Sequence, residues 1–382
     1  MKIWQNENII PIKSWTNNID SDCLRQANNL ANLPFAFRHI ALMPDCHSGY
    51  GMPIGGVLAT KEVIIPNAVG VDIGCGMIAA KTSAEGLTID EIKELIGKVR
   101  EVVPVGFNHH KKQQEDSVFN RAPVHLQIIK QELQSAKYQH GTLGGGNHFV
   151  EIQKGEDGFI WLMIHSGSRN LGKKVAEHFN RKAIELNKKW KVEIPKEWDL
   201  AFLPVETQEG QDYIEAMQFC LKFAYTNRVA MMDRVIRIFA QITGHTKIDQ
   251  INVHHNYAAA EEHFNENIWV HRKGAIRMEK GDRGIIPGSM GTPSYIVEGL
   301  GNEDSFCSAS HGAGRKMSRK QANQVITESM AQEAMKGIVY GRFNGKYDEC
   351  PQAYKDIDEV IKCEMDLIKP IVRLTPLGVI KG

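Results

Sequence analysis

No apolar run in this sequence approaches the roughly eighteen residues that a membrane-crossing helix needs, so no helical span is expected. Neither sign of charge is in excess. Forty-six Lys and Arg stand against forty-five Asp and Glu, which excludes a chain-wide field for nucleic acid and leaves any such contact to a local patch. The seven cysteines are odd in number, widely scattered and without a Cys-x-x-Cys pair. Together with the polar start Met1-Lys2-Ile3-Trp4-Gln5-Asn6, this predicts a reducing cytoplasm, not export. What is present is ample apolar material: 42% hydrophobic residues can fill the core of one large domain or of two ordinary ones.

The stretch that organises the chain is Val69-Gly70-Val71-Asp72-Ile73-Gly74-Cys75-Gly76. An apolar run closed by Pro66 leads into a turn that carries a carboxylate and a thiol three residues apart. Its glycines open backbone conformations closed to other residues, so Asp72 and Cys75 can face one ion. A thiolate with a hard oxygen and later imidazoles suits zinc, manganese, iron or cobalt.

Periodicity predicts the surroundings. Residues 1–15 alternate like a strand, 20–32 read as a helix opened by Asp20 or Ser21, and Phe37 to Leu42 as a strand. Pro and Gly then predict a loop over Met43–Gly51, where Asp45 and His47 could bind phosphate or metal or only form a turn. Strands follow at 57–65 and 69–80, helices at Thr88 to Val102 and near 122–137. The polar stretch 108–121, with His109, His110, Lys111 and Lys112, reads as a solvated loop.

The second anchor is Gly141-Thr142-Leu143-Gly144-Gly145-Gly146-Asn147-His148-Phe149. Its amides can line an anion, and a strand from Asn147 places His148 at its start. Next, Phe159–Ile164 predicts a buried strand ending in His165-Ser166-Gly167-Ser168-Arg169-Asn170-Leu171-Gly172-Lys173-Lys174. That spacing imitates a P-loop, but Lys174 replaces the Ser or Thr that would hold magnesium, so His165 is better read as a metal ligand. Glu209 to Thr243 predicts a long core helix, with Arg228, Arg234 and Arg237 on a solvated face in preference to an RNA groove. A strand over Ile248–Val253 delivers His254 and His255, one to each side.

Ile268–Met278 reads as strand, turn and strand, and Ile286–Tyr295 as a loop of small hydroxyl residues and free amides. A strand from Phe306 to Ala309 ends in Ser310-His311-Gly312-Ala313-Gly314-Arg315, and Ser318 opens a helix running to Lys336. A histidine between a strand and a glycine turn is placed for chemistry on phosphate. Asp72, Cys75, His148, His165 and one of His254 and His255 are too many donors for one tetrahedral zinc. They would serve two ions if Cys75 bridged them, leaving His311 over as a possible nucleophile.

These stretches resemble the RtcB family of RNA-splicing ligases. The resemblance is carried by MPDCHSGYG, VGVDIGCGM, GTLGGGNHF, IHSGSRNLG, HHNY, PGSMGTPSY and SHGAGR, with Lys381-Gly382 at the end. It implies one α+β domain over residues 1–382, with central layered β-sheets flanked by helices. It implies two manganese ions held by Asp72, Cys75, His148, His165 and His255. It makes His311 the guanylylated residue, with GTP contacted by Asn147, His148, Phe149, Val150, Glu151, His255, Asn256, Pro287, Gly288, Ser289, Met290, Ser294, His311, Gly312, Ala313, Gly314 and Lys381. The implied reaction joins an RNA 3′-phosphate or 2′,3′-cyclic phosphate to a 5′-hydroxyl through a histidine-guanylate and an RNA-(3′)pp(5′)G intermediate, in tRNA splicing or RNA repair. Arg315 and the basic stretches 169–191 and 315–320 are the candidates for RNA phosphates, and an archease-type activator is an open partner. Cys46 and Tyr50 depart from the residues expected in many relatives. A dinuclear phosphodiesterase, or an RNA-binding protein with a structural metal, are the competing readings; neither uses both PGSMGTPSY and His311.

Overall fold

The computed structural model describes residues 1–4, 9–341, 343 and 345–382. The architecture is α+β, built on two large sheets, with two further two-stranded sheets, Ala275–Arg277 with Ser308–Ser310 and Val63–Ile64 with Leu203–Pro204, among the described residues. Among the described residues, one sheet runs in the order Lys2–Trp4, Ile12–Ser14, Ala36–His47, Ile54–Thr60, Glu266–Lys273, Asn256–His263. The other runs Lys247–His254, Gly76–Thr82, Ile160–Ser166, Phe149–Gly155, Ile368–Lys381, Ser294–Gly299, Arg283–Ile286. Pairing is antiparallel in both, except where Ile12–Ser14 lies parallel to Ala36–His47.

The central strands of both sheets, Ile54–Thr60, Gly76–Thr82 and Ile160–Ser166 among them, are covered on two faces, which is why they read as near-continuous apolar runs. In Gly76–Thr82 the side chains alternate. Ile78 and Ala80 pack with Val150, Leu162 and Ile164 against the helices Ile89–Val102 and Gln208–Thr243, while Met77 and Ala79 pack with Phe149, Met163 and Leu374 on the opposite face. The first sheet behaves alike. Ile40, Leu42 and Leu58 meet the helix Ser21–Ala31, and Ala41, Met43, Val57 and Ala59 join a core with Ile276, Val297 and Phe306.

Local chemistry sets the helix ends. Asp20 caps Ser21–Ala31 by accepting from Cys23 N–H, and Thr88 with Glu91 closes a capping box on Ile89–Val102. The long helix starts at Thr207, whose hydroxyl accepts from Gly210 N–H, and stops at Gly244 in the left-handed region.

Several expectations are corrected. The strand expected over Phe37–Leu42 continues to His47, so most of the loop predicted at Met43–Gly51 is strand. Pro44 is tolerated because the ladder with Ile54–Thr60 shifts register between Leu42 and His47, where no N–H is required. The strands expected at 57–65 and 69–80 are Ile54–Thr60, Val63–Ile64 and Gly76–Thr82, with a short helix Pro66–Val69 between them. In residues 1–15 two strands pair antiparallel instead of forming one; the reading for residues 5–8 lies outside the described residues. Gln127–Gln139 starts later than predicted, beyond Pro123. The helix expected from Ser318 to Lys336 is two, Arg319–Val325 and Glu328–Ala334. Ile326 is extended and buried, and Thr327 recaps the chain by accepting from Met330 N–H.

Candidate metal and nucleotide site

Four neighbouring strands of the second sheet end at one place. Cys75 directly precedes Gly76–Thr82, His165 closes Ile160–Ser166, His148 precedes Phe149–Gly155, and His255 follows Lys247–His254. Register pairs Gly76 with Ser166 and with His254, and His165 with Phe149, so residues far apart in sequence converge. Ligand atoms of Cys75, His148 and His165 lie within 4.8 Å of one another.

The contacts form a chain. Asp72 Oδ2 is 3.2 Å from His148 Nε2, which is 3.5 Å from Cys75 Sγ; that sulfur is 3.2 Å from His165 Nε2, itself 3.0 Å from His255 Nε2. Tautomers follow from the other ring nitrogens. His148 Nδ1 faces the carbonyl of Leu143 at 2.9 Å and His165 Nδ1 that of Asn147 at 3.1 Å, so each must donate. Asn256 spends its amide N–H on Asp72 O and accepts from Gly274 N–H with Oδ1, so His255 Nδ1 donates to that oxygen at 3.2 Å. In His165 and His255, which burial keeps neutral, Nε2 then carries the lone pair, and these two atoms meet at 3.0 Å. Facing acceptors repel unless a cation sits among them.

Electrostatics agree. Burial, then the Asp72 charge, hold the Cys75 thiol well above its usual range. Burial, then neighbouring imidazoles, keep His165 and His255 well below theirs. Neutral imidazoles, a carboxylate and a thiol that only a cation would ionise make a donor set that fits a divalent metal. Gly167 is part of the fit, since a Cβ there would overlap the Asp72 carboxylate.

Beside this group opens a cleft of about 260 Å³ lined by Asn147, Phe149, Pro287, Gly288, Ser289, Met290, His311, Gly312, Ala313, Gly314 and Lys381. His311 stands where cleft and donor group touch, its ring centroid 4.8 Å from that of His255. Asp45, fully buried, accepts from His311 Nδ1 at 2.6 Å and from His311 N–H at 3.2 Å, both on Oδ2. The ring is thus held with its Nδ1 proton on Asp45 and its Nε2 not engaged by that carboxylate.

A model of the family described as tRNA-splicing ligase RtcB matches residues 26–125 and 109–382. This chain belongs to the RtcB family. It is 39% identical over 401 residues to the RNA-splicing ligase RtcB of Escherichia coli (strain K12), covering 97% of both chains. It is 32% identical to the tRNA-splicing ligase RtcB of Methanococcus maripaludis, covering 96% of this chain and 92% of that one. To the RNA-splicing ligase RtcB of Mycobacterium bovis it is also 32% identical, over 94% of this chain and all of the relative.

Not every residue expected of the RtcB pattern reaches the cleft. Val150 points away into the helix-covered core, as strand alternation requires between Phe149 and Glu151. Glu151 and Ser294 lie buried behind the wall, joined through Gln153 Nε2, which donates to Glu151 Oε2 at 2.7 Å and Ser294 Oγ at 3.0 Å. Asn256 faces a neighbouring cleft of about 570 Å³ that also takes in Asp72, Cys75, Tyr50 and Lys273. Lys381 is carried to Phe149 by strand register, and its ammonium is 3.1 Å from Glu349.

Two arginine expectations change. Arg228 is not on a solvated face: it is fully buried and donates to Gly74 O, Ser166 O and Asn252 Oδ1, tying the Cys75 turn to the His165 strand. Arg315 lines the cleft, but its guanidinium is held by Glu349, the Tyr354 hydroxyl and two carbonyls instead of standing free for phosphate. Sequence reasoning left Asp45 open and missed Glu349, Tyr354 and Lys273. For Asp45 the RtcB stretch MPDCHSGYG was a signal without a role; the others carry no local signature.

Proposed function

We propose that this chain is a GTP-dependent RNA ligase that joins 3′-phosphate or 2′,3′-cyclic phosphate ends to 5′-hydroxyl ends in tRNA splicing or RNA repair. That it is an RNA ligase rests on family membership. The finer chemistry rests on one observation above others, the Asp45-held His311 at the junction of the cleft with the Asp72, Cys75, His148, His165 and His255 donors.

His311 Nε2 attacks the α-phosphorus of GTP, the bond to pyrophosphate breaks, and Asp45 offsets the positive charge left on the ring. An oxygen of the RNA 3′-phosphate, present from the start or formed when water opens the 2′,3′-cyclic phosphate, then takes the guanylate and frees His311. A 5′-hydroxyl attacks the activated 3′-phosphorus, and GMP leaves. Two manganese ions in the donor set would supply Lewis-acid stabilisation of phosphoryl charge. The chain Asp72, His148, Cys75, His165, His255 supports a two-ion reading, because the sulfur lies between two donors on each side. Phe149 and the Pro287–Met290 loop offer the base a wall, and Lys381 donates toward guanine O6 and N7. An archease-type activator belongs to the same reading.

The test is to incubate the protein with manganese and α-labelled GTP. Covalent label that His311→Ala abolishes supports the reading. Absence of label in the wild type, with metal bound, would reject it in favour of a hydrolase or a binding protein.

A further inference from the structure

A second acid meets the chain one residue before His311. Glu364 ends the helix Ile357–Cys363 and is fully buried. Its Oε2 accepts from the backbone N–H of Ser310, the residue before His311, at 2.9 Å. Asp45 meets His311 with Oδ2 alone. Three oxygens in this interior are consequently left buried and without a hydrogen-bond partner: Asp45 Oδ1, Ser310 Oγ and Glu364 Oε1.

With both acids ionised, two negative charges would share an interior out of water. A proton on Glu364 removes one of them and leaves the carboxylate that accepts from His311 as the single anion.

We propose that Glu364 is a positioning residue for His311: a neutral carboxylic acid that holds the backbone of Ser310, the residue before His311, and adds no second charge beside the Asp45 carboxylate aimed at the ring. The inference rests on His311 being the nucleophile. Burial pushes the Glu364 carboxyl up to about 8, and the Asp45 charge adds to the push. The charged groups that act on it are Asp45 on Ala36–His47 and Asp366 two residues on. Lys355 spends its ammonium on the carbonyls of Pro44 and Cys46, at 3.0 and 2.7 Å. No ion pair joins Glu364 to a cation among the described residues.

The sign follows. The proton is present below about pH 8 and is lost above it, when a second negative charge appears beside Asp45. Labelling of His311 by GTP should therefore fall on the alkaline side in the wild type. In Glu364→Gln the amide N–H₂ replaces the acid O–H, so the rate near pH 7 should stay within about threefold and the alkaline fall near pH 8 should vanish. Glu364→Ala should slow labelling about tenfold or more at unchanged metal content. A Glu364→Gln variant slowed tenfold at pH 7, or one that keeps the wild-type alkaline fall, overturns the proposal. A second measurement does not depend on ligase activity. The infrared difference between wild type and Glu364→Gln should contain a protonated-carboxyl C=O band at pH 7 that disappears above about pH 8, and a carboxylate band at pH 7 overturns the assignment. If the wild type takes no label but the protonated band is present, it is the guanylylation reading that has failed.

Discussion

Replacing Asp45 by Asn removes one charge and almost nothing else. The carboxylate is fully buried and serves His311 through Oδ2 alone, at 2.6 Å to Nδ1 and 3.2 Å to the amide nitrogen. An asparagine oxygen in the same place can accept both bonds, so geometry is kept while the anion goes. As His311 Nε2 bonds to phosphorus, the ring becomes cationic, and the lost interaction can be sized from two sides. Hydrogen bonds to charged groups contribute about 1.5–3 kcal/mol. Coulomb's law gives about 4 kcal/mol for unit charges some 4 Å apart at an effective dielectric of 20. The range of about 1.5–4 kcal/mol corresponds to roughly 10- to 1,000-fold in rate. Single-turnover labelling of Asp45→Asn with α-labelled GTP, at saturating nucleotide and manganese, reads this directly. Metal content should not change, because Asp45 touches none of the proposed ligands. Labelling within about threefold of wild type would show that His311 needs no anion behind it.

Four further outcomes are expected. His311→Ala should lose guanylylation but keep its metal by elemental analysis, whereas Cys75→Ala should lose both; a covalently labelled His311→Ala protein would move the nucleophile elsewhere. Gly167→Ala should expel the Asp72 carboxylate from its place and lower metal content with circular dichroism unchanged; full occupancy would remove Asp72 from the ligand set. Lys381→Met should raise the GTP requirement and narrow the GTP-to-ATP ratio in labelling by about 1–3 kcal/mol, since adenine lacks the O6 acceptor; an unchanged ratio would place base recognition elsewhere. Finally, His271 is fully buried, accepts from Ile65 N–H on Nε2 at 3.0 Å, and is pushed down to about 4 by burial. Its contribution of about 3 kcal/mol is present above the unfolded value near 6.5 and lost as pH falls through about 4. Urea midpoints from pH 7 to 4.5 should fall less steeply in His271→Gln, and parallel slopes would contradict the buried neutral ring.

The sequence by itself determined which side chains could carry the chemistry. Asp72, Cys75, His148 and His165 each sit where an apolar run meets a glycine turn, and that local grammar of strand ends is readable because glycine and alternation act over a few residues. Helix starts at Asp20 and Thr88 were equally local. Tertiary structure alone decided who meets whom. His254 and His255 are adjacent, yet only the second joins the donor group, because His254 turns to Arg228 and Gly74 O. Arg228 belongs to a helical pattern whose polar residues usually face water, but the turn and strand it ties together surround it with carbonyls that no periodicity announces. Asp45 lies 266 residues from His311, and Glu364 reaches Ser310 across 54. Such pairings are set by how sheets and helices pack on one another, and sequence spacing has no term for that.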